Sequence, residues 1–279
     1  MIAVLLALGA AVAWGAADFL GGIKSRVVAT IVVVAIGQAT GLALVGAVVI
    51  AQGEGPPEAR YLGYAVLAGF AGALGIAALY RALAVGSMSI VAPITATGAV
   101  IPVIAGVATG ERPTTVQGAG LALAFGGVIL AARQDSSDLA SGRVAAGVGI
   151  ALLAAVGIGA FLLALDAASE GGVPWALLVQ RSVCVAIVLA VAAFVRPRFR
   201  VGWRNAGPMV AIGVLDMSAN ALFALASTRG LVSVVSVLAS LYPVTTVLLA
   251  RLLLGERIAR PQQVGVVVAL AGVVLISAG

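Results

Sequence analysis

Apolar residues run along this chain in blocks, separated by short clusters of Gly, Pro and charged residues. Each block approaches the about 20 residues that carry an α-helix across the roughly 30 Å hydrocarbon core of a bilayer. Read between those punctuation points, the pattern predicts ten helices near residues 2–22, 28–51, 61–84, 88–109, 114–132, 144–167, 173–195, 206–228, 232–254 and 261–278. A membrane barrel would need apolar and polar residues in strict alternation, and none is visible. Met1 to Ile23 lacks a basic leading segment, and its apolar run is longer than that of a secretion signal, so it reads as the first spanning helix.

Two connections are polar beyond a tight turn, "QGEGPPEAR" from Gln52 and "RQDSSDLASGR" from Arg133, and the second divides the helices five and five. That division coincides with an internal repeat. "GERPTTVQGAG" from Gly110 returns as "GERIARPQQVG" from Gly255, so that Glu111, Gln117, Gly120 and Gly127 match Glu256, Gln262, Gly265 and Gly272, each 145 positions on. Upstream the spacing is 144, aligning Gly69, Ala77, Ala82 and Gly86 with Gly213, Ala221, Ala226 and Gly230. The chain is therefore expected to hold a first five-helix repeat at 1–132, a polar linker at 133–143 and a second repeat at 144–279. Because five is odd, the second repeat enters the membrane from the opposite face, and the halves are inverted. That architecture belongs to secondary transporters, which hold substrate near the midplane where the repeats meet.

Composition agrees with a membrane location: of 279 residues, 62% are hydrophobic and only 9% charged, against about a quarter charged in soluble domains. The net charge of +6 does not signal nucleic acid, because the basic residues sit in short connections, where they orient the chain. Lys24, Arg26, Arg133, Arg143, the four arginines of "RPRFRVGWR", Arg257 and Arg260 fall on one side, against Arg60, Arg112 and Arg229 on the other. By the positive-inside rule both termini lie outside the cytoplasm, and a bacterial inner (plasma) membrane is the expected location. Cys184 is the single cysteine and there is no His, so an intramolecular disulfide is excluded, and neither a metal site nor a cofactor is expected.

Charge at membrane depth is costly, about 2.5–3.5 kcal/mol per residue on insertion scales, and should face the bundle interior. Asp216 lies near the middle of the eighth helix, with Asn220, Phe223 and Ser227 following on one stripe. Arg181 lies deep in the seventh helix, where it either neutralises Asp216 or meets substrate. Asp18 follows Trp14 by four residues on the first helix; a partly hydrated cap near the helix end or a contact with Lys24 is the alternative to a place in a cavity. Arg81, Asp166 and Arg251 stand near helix ends, where they reach water. Pro93 and Pro102 in the fourth helix and Pro243 in the ninth remove backbone donors, kinking or interrupting both, which a membrane tolerates only against protein or a watery cavity. Around them lie Thr95, Ser236, Ser240 and Tyr242, although Ser and Thr also bond back to their own helix.

Two five-helix halves of this kind resemble the EamA family of the drug/metabolite transporter superfamily. The stretches "LYRALAVGSMSIVAPITATGAVIPVIAGVATGERPTTVQGAGLALAFGGVIL" and "SVVSVLASLYPVTTVLLARLLLGERIARPQQVGVVVALAGVVL" carry the likeness. Pro243 stands at the family's usual proline; Gly98 takes the equivalent place in the first copy, with Pro102 four residues on. The resemblance implies a central cavity lined by helices 1, 3, 4, 6, 8 and 9, with 5 and 10 as scaffold, and it adds Tyr80 and Phe161 as aromatic candidates.

The expected function is a secondary transporter, an exporter of a small metabolite or drug-like solute, working by alternating access between the inverted repeats. An intramembrane lipid-modifying enzyme and a non-transporting scaffold are the competing classes. The candidate substrate-binding residues are Trp14, Asp18, Tyr80, Thr95, Phe161, Asp216, Asn220, Ser236, Ser240 and Tyr242. Asp216 and Asp18 are also proton-coupling candidates, since burial disfavours a charged carboxylate; pairing with Arg181 would keep Asp216 ionised. Arg181, Pro93, Pro102, Pro243, Glu111 and Glu256 are assigned structural or gating roles. Glu111 and Glu256 fall in tight turns, where Gly ends one helix and the Glu is expected to cap the next while the Arg reaches lipid headgroups. Lipids and a small solute are the expected partners, with protons a candidate; monomer and homodimer are both open.

Overall fold

A computed structural model describes residues 1–25, 27–85, 94–131, 143–197, 202–254 and 260–278. All regular structure among them is helical: α1 (Ile2–Ser25), α2 (Thr30–Gln52), α3 (Ala59–Val85), a 3-10 turn (Thr97–Ala99) leading into α4 (Val100–Ala108), α5 (Thr115–Ala131), α6 (Arg143–Ser169), α7 (Val173–Val195), α8 (Trp203–Ser227), α9 (Val232–Ala239), α10 (Tyr242–Leu254) and α11 (Arg260–Ala278). Six helices are long and apolar enough to cross a bilayer, and four further apolar stretches run for 10–17 residues. Large apolar side chains point outward, among them Ile50, Phe194 and Leu252. The packed interior is rich in alanine, including Ala7, Ala10 and Ala11 of α1. Lipid tails offer no hydrophobic drive for helix association, so such bundles rely on small residues that let backbones approach.

The two broken helices interrupt where proline chemistry requires. The stretch expected as one helix over 232–254 is two, α9 and α10, separated at Ser240–Leu241. Pro243 stands in the first turn of α10, where its missing N–H costs nothing, and the Leu241 N–H closes a tighter turn onto Leu238 O at 3.2 Å. In the first half, the Val100 N–H reaches back three residues to Thr97 O. Pro102 follows, with no N–H for the Gly98 carbonyl and a ring that crowds it. Pro93 lies outside the described residues.

Helix partners exchange between the halves as a two-fold would exchange them: α3 packs on α6 and α1 on α8, α3 on α7 and α8 on α2. On the periphery α5 lies against α11. A Cβ added to Gly120 would stand 2.8 Å from Gly272 O, and one added to Gly127 would stand 2.7 Å from Gly265 O. The residue numbers rise on one helix as they fall on the other, so the two are antiparallel.

The Gly-Glu-Arg turn departs from expectation. Gly110 takes the left-handed conformation (φ 105°) that side-chain-bearing residues resist, and the Glu111 N–H bonds back to Gly106 O at 2.8 Å. Glu111 does not cap the next helix. Thr114 and Gln117 do, in a reciprocal box with the Thr114 N–H on Gln117 Oε1 (3.0 Å) and the Gln117 N–H on Thr114 Oγ1 (3.1 Å). Folded back over Gly106, the Glu111 carboxylate instead accepts the Val232 and Ser233 N–H groups at the start of α9, in the other half. Glu256 lies outside the described residues.

Candidate functional site

The helix breaks and two polar stripes converge on a cavity of about 120 Å³ near the middle of the bundle. From α1 come Trp14 and Asp18, one helical turn apart; from α8, Asp216 and Asn220, also one turn apart. Ser240 and Tyr242 enter at the break between α9 and α10, Thr95 just ahead of the 3-10 turn, and Phe161 from α6. Eight of the ten substrate-binding candidates thus share one wall. Ser236 is fully buried and its hydroxyl has no partner among the described residues, but it stands outside that wall. The Tyr80 side chain lies outside the described residues.

The charges are arranged asymmetrically. Arg181, 1% exposed, donates through Nη1 to Asp216 Oδ2 at 2.7 Å and to Gln38 Oε1. Asn220 Nδ2 donates to the Asp216 backbone carbonyl at 2.7 Å, bracing the stripe rather than the carboxylate. Of the alternatives for Arg181, neutralising Asp216 is the one this geometry realises. Asp18 makes no contact with Lys24, whose Nζ donates to Asn205 Oδ1 (3.2 Å); it faces the cavity with no hydrogen-bond or ion-pair partner among the described residues. Trp14 leans on the buried ring of Phe223, centroids 5.9 Å apart.

Sequence reasoning passed over Gln38 and Gln180. Gln38 sits inside "GQATG", read only as a packing motif, and Gln180 immediately precedes Arg181. The available signal was an uncharged amide at membrane depth, which needs partners for the same reason a charge does. Gln180 Nε2 donates to Cys184 Sγ at 3.2 Å, while Oε1 has no partner among the described residues. Cys184 in turn donates to Gly69 O at 3.3 Å across the interface of the halves. Ser240 bonds back to Val237 O (2.7 Å), and Thr246 bridges α10 to Gly15 O of α1 (3.2 Å).

A second, wider cavity of about 940 Å³ opens at the end of the bundle where Glu111 meets α9, with Asp166, Glu170 and Arg229 in its wall. Among the described residues no group of His, Cys, Asp or Glu converges as metal ligands.

The model of the EamA-like transporter family matches residues 1–133 and again 145–278. No curated protein matches the sequence. A solved structure titled only "Crystal structure of protein" superposes with a TM-score of 0.82 at 16% identity, covering 98% of this chain and 95% of its own; that likeness concerns the fold alone.

Proposed function

The chain belongs to the EamA-like transporter family, and on that premise we propose that it is a secondary carrier exporting a small metabolite or drug-like solute. Its two halves would alternate about the central cavity in ten crossings, the four shorter apolar stretches completing the six long helices. The observation that carries this reading is the cavity itself. It lies where the repeats meet, its wall is drawn from both, and it holds charged groups at membrane depth, which only a function would justify. A driving ion must interact differently with the two states. Since Asp216 is already engaged by Arg181 at 2.7 Å and Asp18 has no such partner among the described residues, Asp18 is the better proton site of the two. The Lys and Arg distribution supports an inner-membrane protein with both termini outside the cytoplasm.

Reconstitution into proteoliposomes tests the reading. Exchange of a labelled solute from a panel of amino acids, nucleosides and organic cations is expected, accelerated by an imposed pH gradient. A correctly folded preparation that exchanges nothing would refute the carrier, and undiminished gradient-driven uptake by Asp18→Asn would refute the proton role.

A further inference from the structure

The charge count of the central cavity is uneven. Its wall carries the carboxylates of Asp18 and Asp216, one guanidinium, Arg181, and two groups neutral in their ordinary state, Tyr242 and Cys184. Arg181 and Asp216 neutralise each other at 2.7 Å, which leaves Asp18 as an unmatched negative charge. A buried acceptor without a partner among the described residues is Gln180 Oε1: Gln180 is 3% exposed, lines the same cavity, and has its Nε2 already engaged. Asp18 is a carboxylate open to the cavity, which calls for positive charge, while Gln180 Oε1 is a buried acceptor without a donor among the described residues, which calls for an N–H or O–H.

An anion fits poorly. The guanidinium spends Nη1 on Asp216 and Gln38. Its Nε lies beneath Gly41, where an added Cβ would be 3.2 Å away, so the two-pronged edge that grips carboxylates is turned into the α2 contact. Nε and Nη2 both lack a partner among the described residues; with Nε against Gly41, Nη2 is left for one neutral oxygen. A bound carboxylate would also add a third negative charge against one positive. A bare divalent cation fits no better, because it wants six or more oxygens, several of them charged, and the wall offers one carboxylate without an ion-pair partner among the described residues, Asp18. Trp14, Phe161, Ile76 and Leu162 give the wall an aromatic and aliphatic part beside the polar Thr95, Asn220 and Ser240, which suits an organic cation.

Resting on the carrier reading above, we propose that the cavity takes a small organic monocation, a primary amine bearing a neutral oxygen, with its ammonium on Asp18 and its oxygen toward Arg181 Nη2. The test uses four size-matched probes at pH 7.4: 3-aminopropan-1-ol (cation), β-alanine (zwitterion), propionate (anion) and propane-1,3-diol (neutral). Equilibrium binding to the detergent-purified full chain is followed by calorimetry, and counterflow is measured in proteoliposomes. The amine is expected to bind at least about tenfold more tightly than the other three, and Asp18→Asn to erase that preference. Tighter binding of β-alanine or propionate, binding of none of the four, or an unchanged amine affinity in Asp18→Asn would overturn the proposal. The probe series on the unaltered protein decides the matter even if the variant fails to fold. Selective amine binding without counterflow would overturn the carrier and leave the ligand class standing; counterflow of β-alanine or propionate alone would do the reverse.

Discussion

Arg181 and Asp216 are the sharpest place to test the structure, because the pair is unequally exposed. The Arg181 side chain is 2% accessible and that of Asp216 is 25%. Removing one partner of a buried pair costs about 3–5 kcal/mol, because the other charge is left without compensation. In Asp216→Asn the nearly inaccessible guanidinium loses its counter-charge and keeps only neutral amide acceptors, Gln38 Oε1 among them, so the cost should reach that range. In Arg181→Met the carboxylate, a quarter accessible, still faces the cavity, where it can hydrate, and about 1–3 kcal/mol is expected. Replacing both, as Arg181→Met with Asp216→Leu, removes the stranded charge and should return to within about 1–2 kcal/mol of the parent. The assay is unfolding in mixed micelles followed by far-UV circular dichroism on all four proteins, completing a double-mutant cycle. A coupling energy of several kcal/mol with the stated asymmetry is expected. Two single variants that each lose under about 0.5 kcal/mol, the ordinary range for a surface change, would refute the buried pair. A double variant no better than the worse single one would refute the compensation.

Three further outcomes follow from the packing. Gly127→Ala, whose new methyl would lie 2.7 Å from Gly265 O, should cost about 1–3 kcal/mol by overpacking; Gly126→Ala on the same helix meets nothing within 4 Å and should be neutral or stabilise by up to about 1 kcal/mol. Equal thermal shifts in the two variants would contradict the α5–α11 contact. Glu111→Ala removes the acceptor for the first N–H groups of α9 and should lower stability by about 0.5–2 kcal/mol, while Thr115→Ala, off the cap, should not. Cys184 is buried and should resist a membrane-permeant maleimide until the protein is unfolded; prompt labelling of the resting protein would contradict its place against Gly69.

How much of this was legible in the sequence depends on how far each signal travels along the chain. Pro243 announces the α9–α10 break because proline acts on its own backbone. The deep charges announced themselves because membrane burial of Arg or Asp needs a reason. The target of Glu111 was not legible. Its partners are backbone N–H groups 121 and 122 positions away, and every helix N-terminus offers such groups, so residue types do not distinguish the α9 end from the α5 end. The capping of α5 was legible in "TTVQ", yet the repeated Gly-Glu-Arg drew the eye past it. Gln38 and Gln180 were missed because an uncharged amide barely disturbs a hydropathy trace.

The repeat separates what a duplicated sequence can reveal from what it cannot. The offset of 145 carries Gly120 onto Gly265 and Gly127 onto Gly272; antiparallel packing across a two-fold then requires Gly120 to meet Gly272 and Gly127 to meet Gly265, as they do. The same correspondence runs through the central cavity. Positions paired by the repeat, Gly72 with Asp216, Ile76 with Asn220 and Thr95 with Ser240, all stand in its wall. Backbone and enclosure are therefore shared by the two halves, and a periodicity search finds them. The chemistry lies where the copies differ: an acid faces a glycine and an amide faces an isoleucine across one cavity. A search for likeness between the halves is blind to those positions by construction, which is why the repeat led to the fold at once and to the site only through its mismatches.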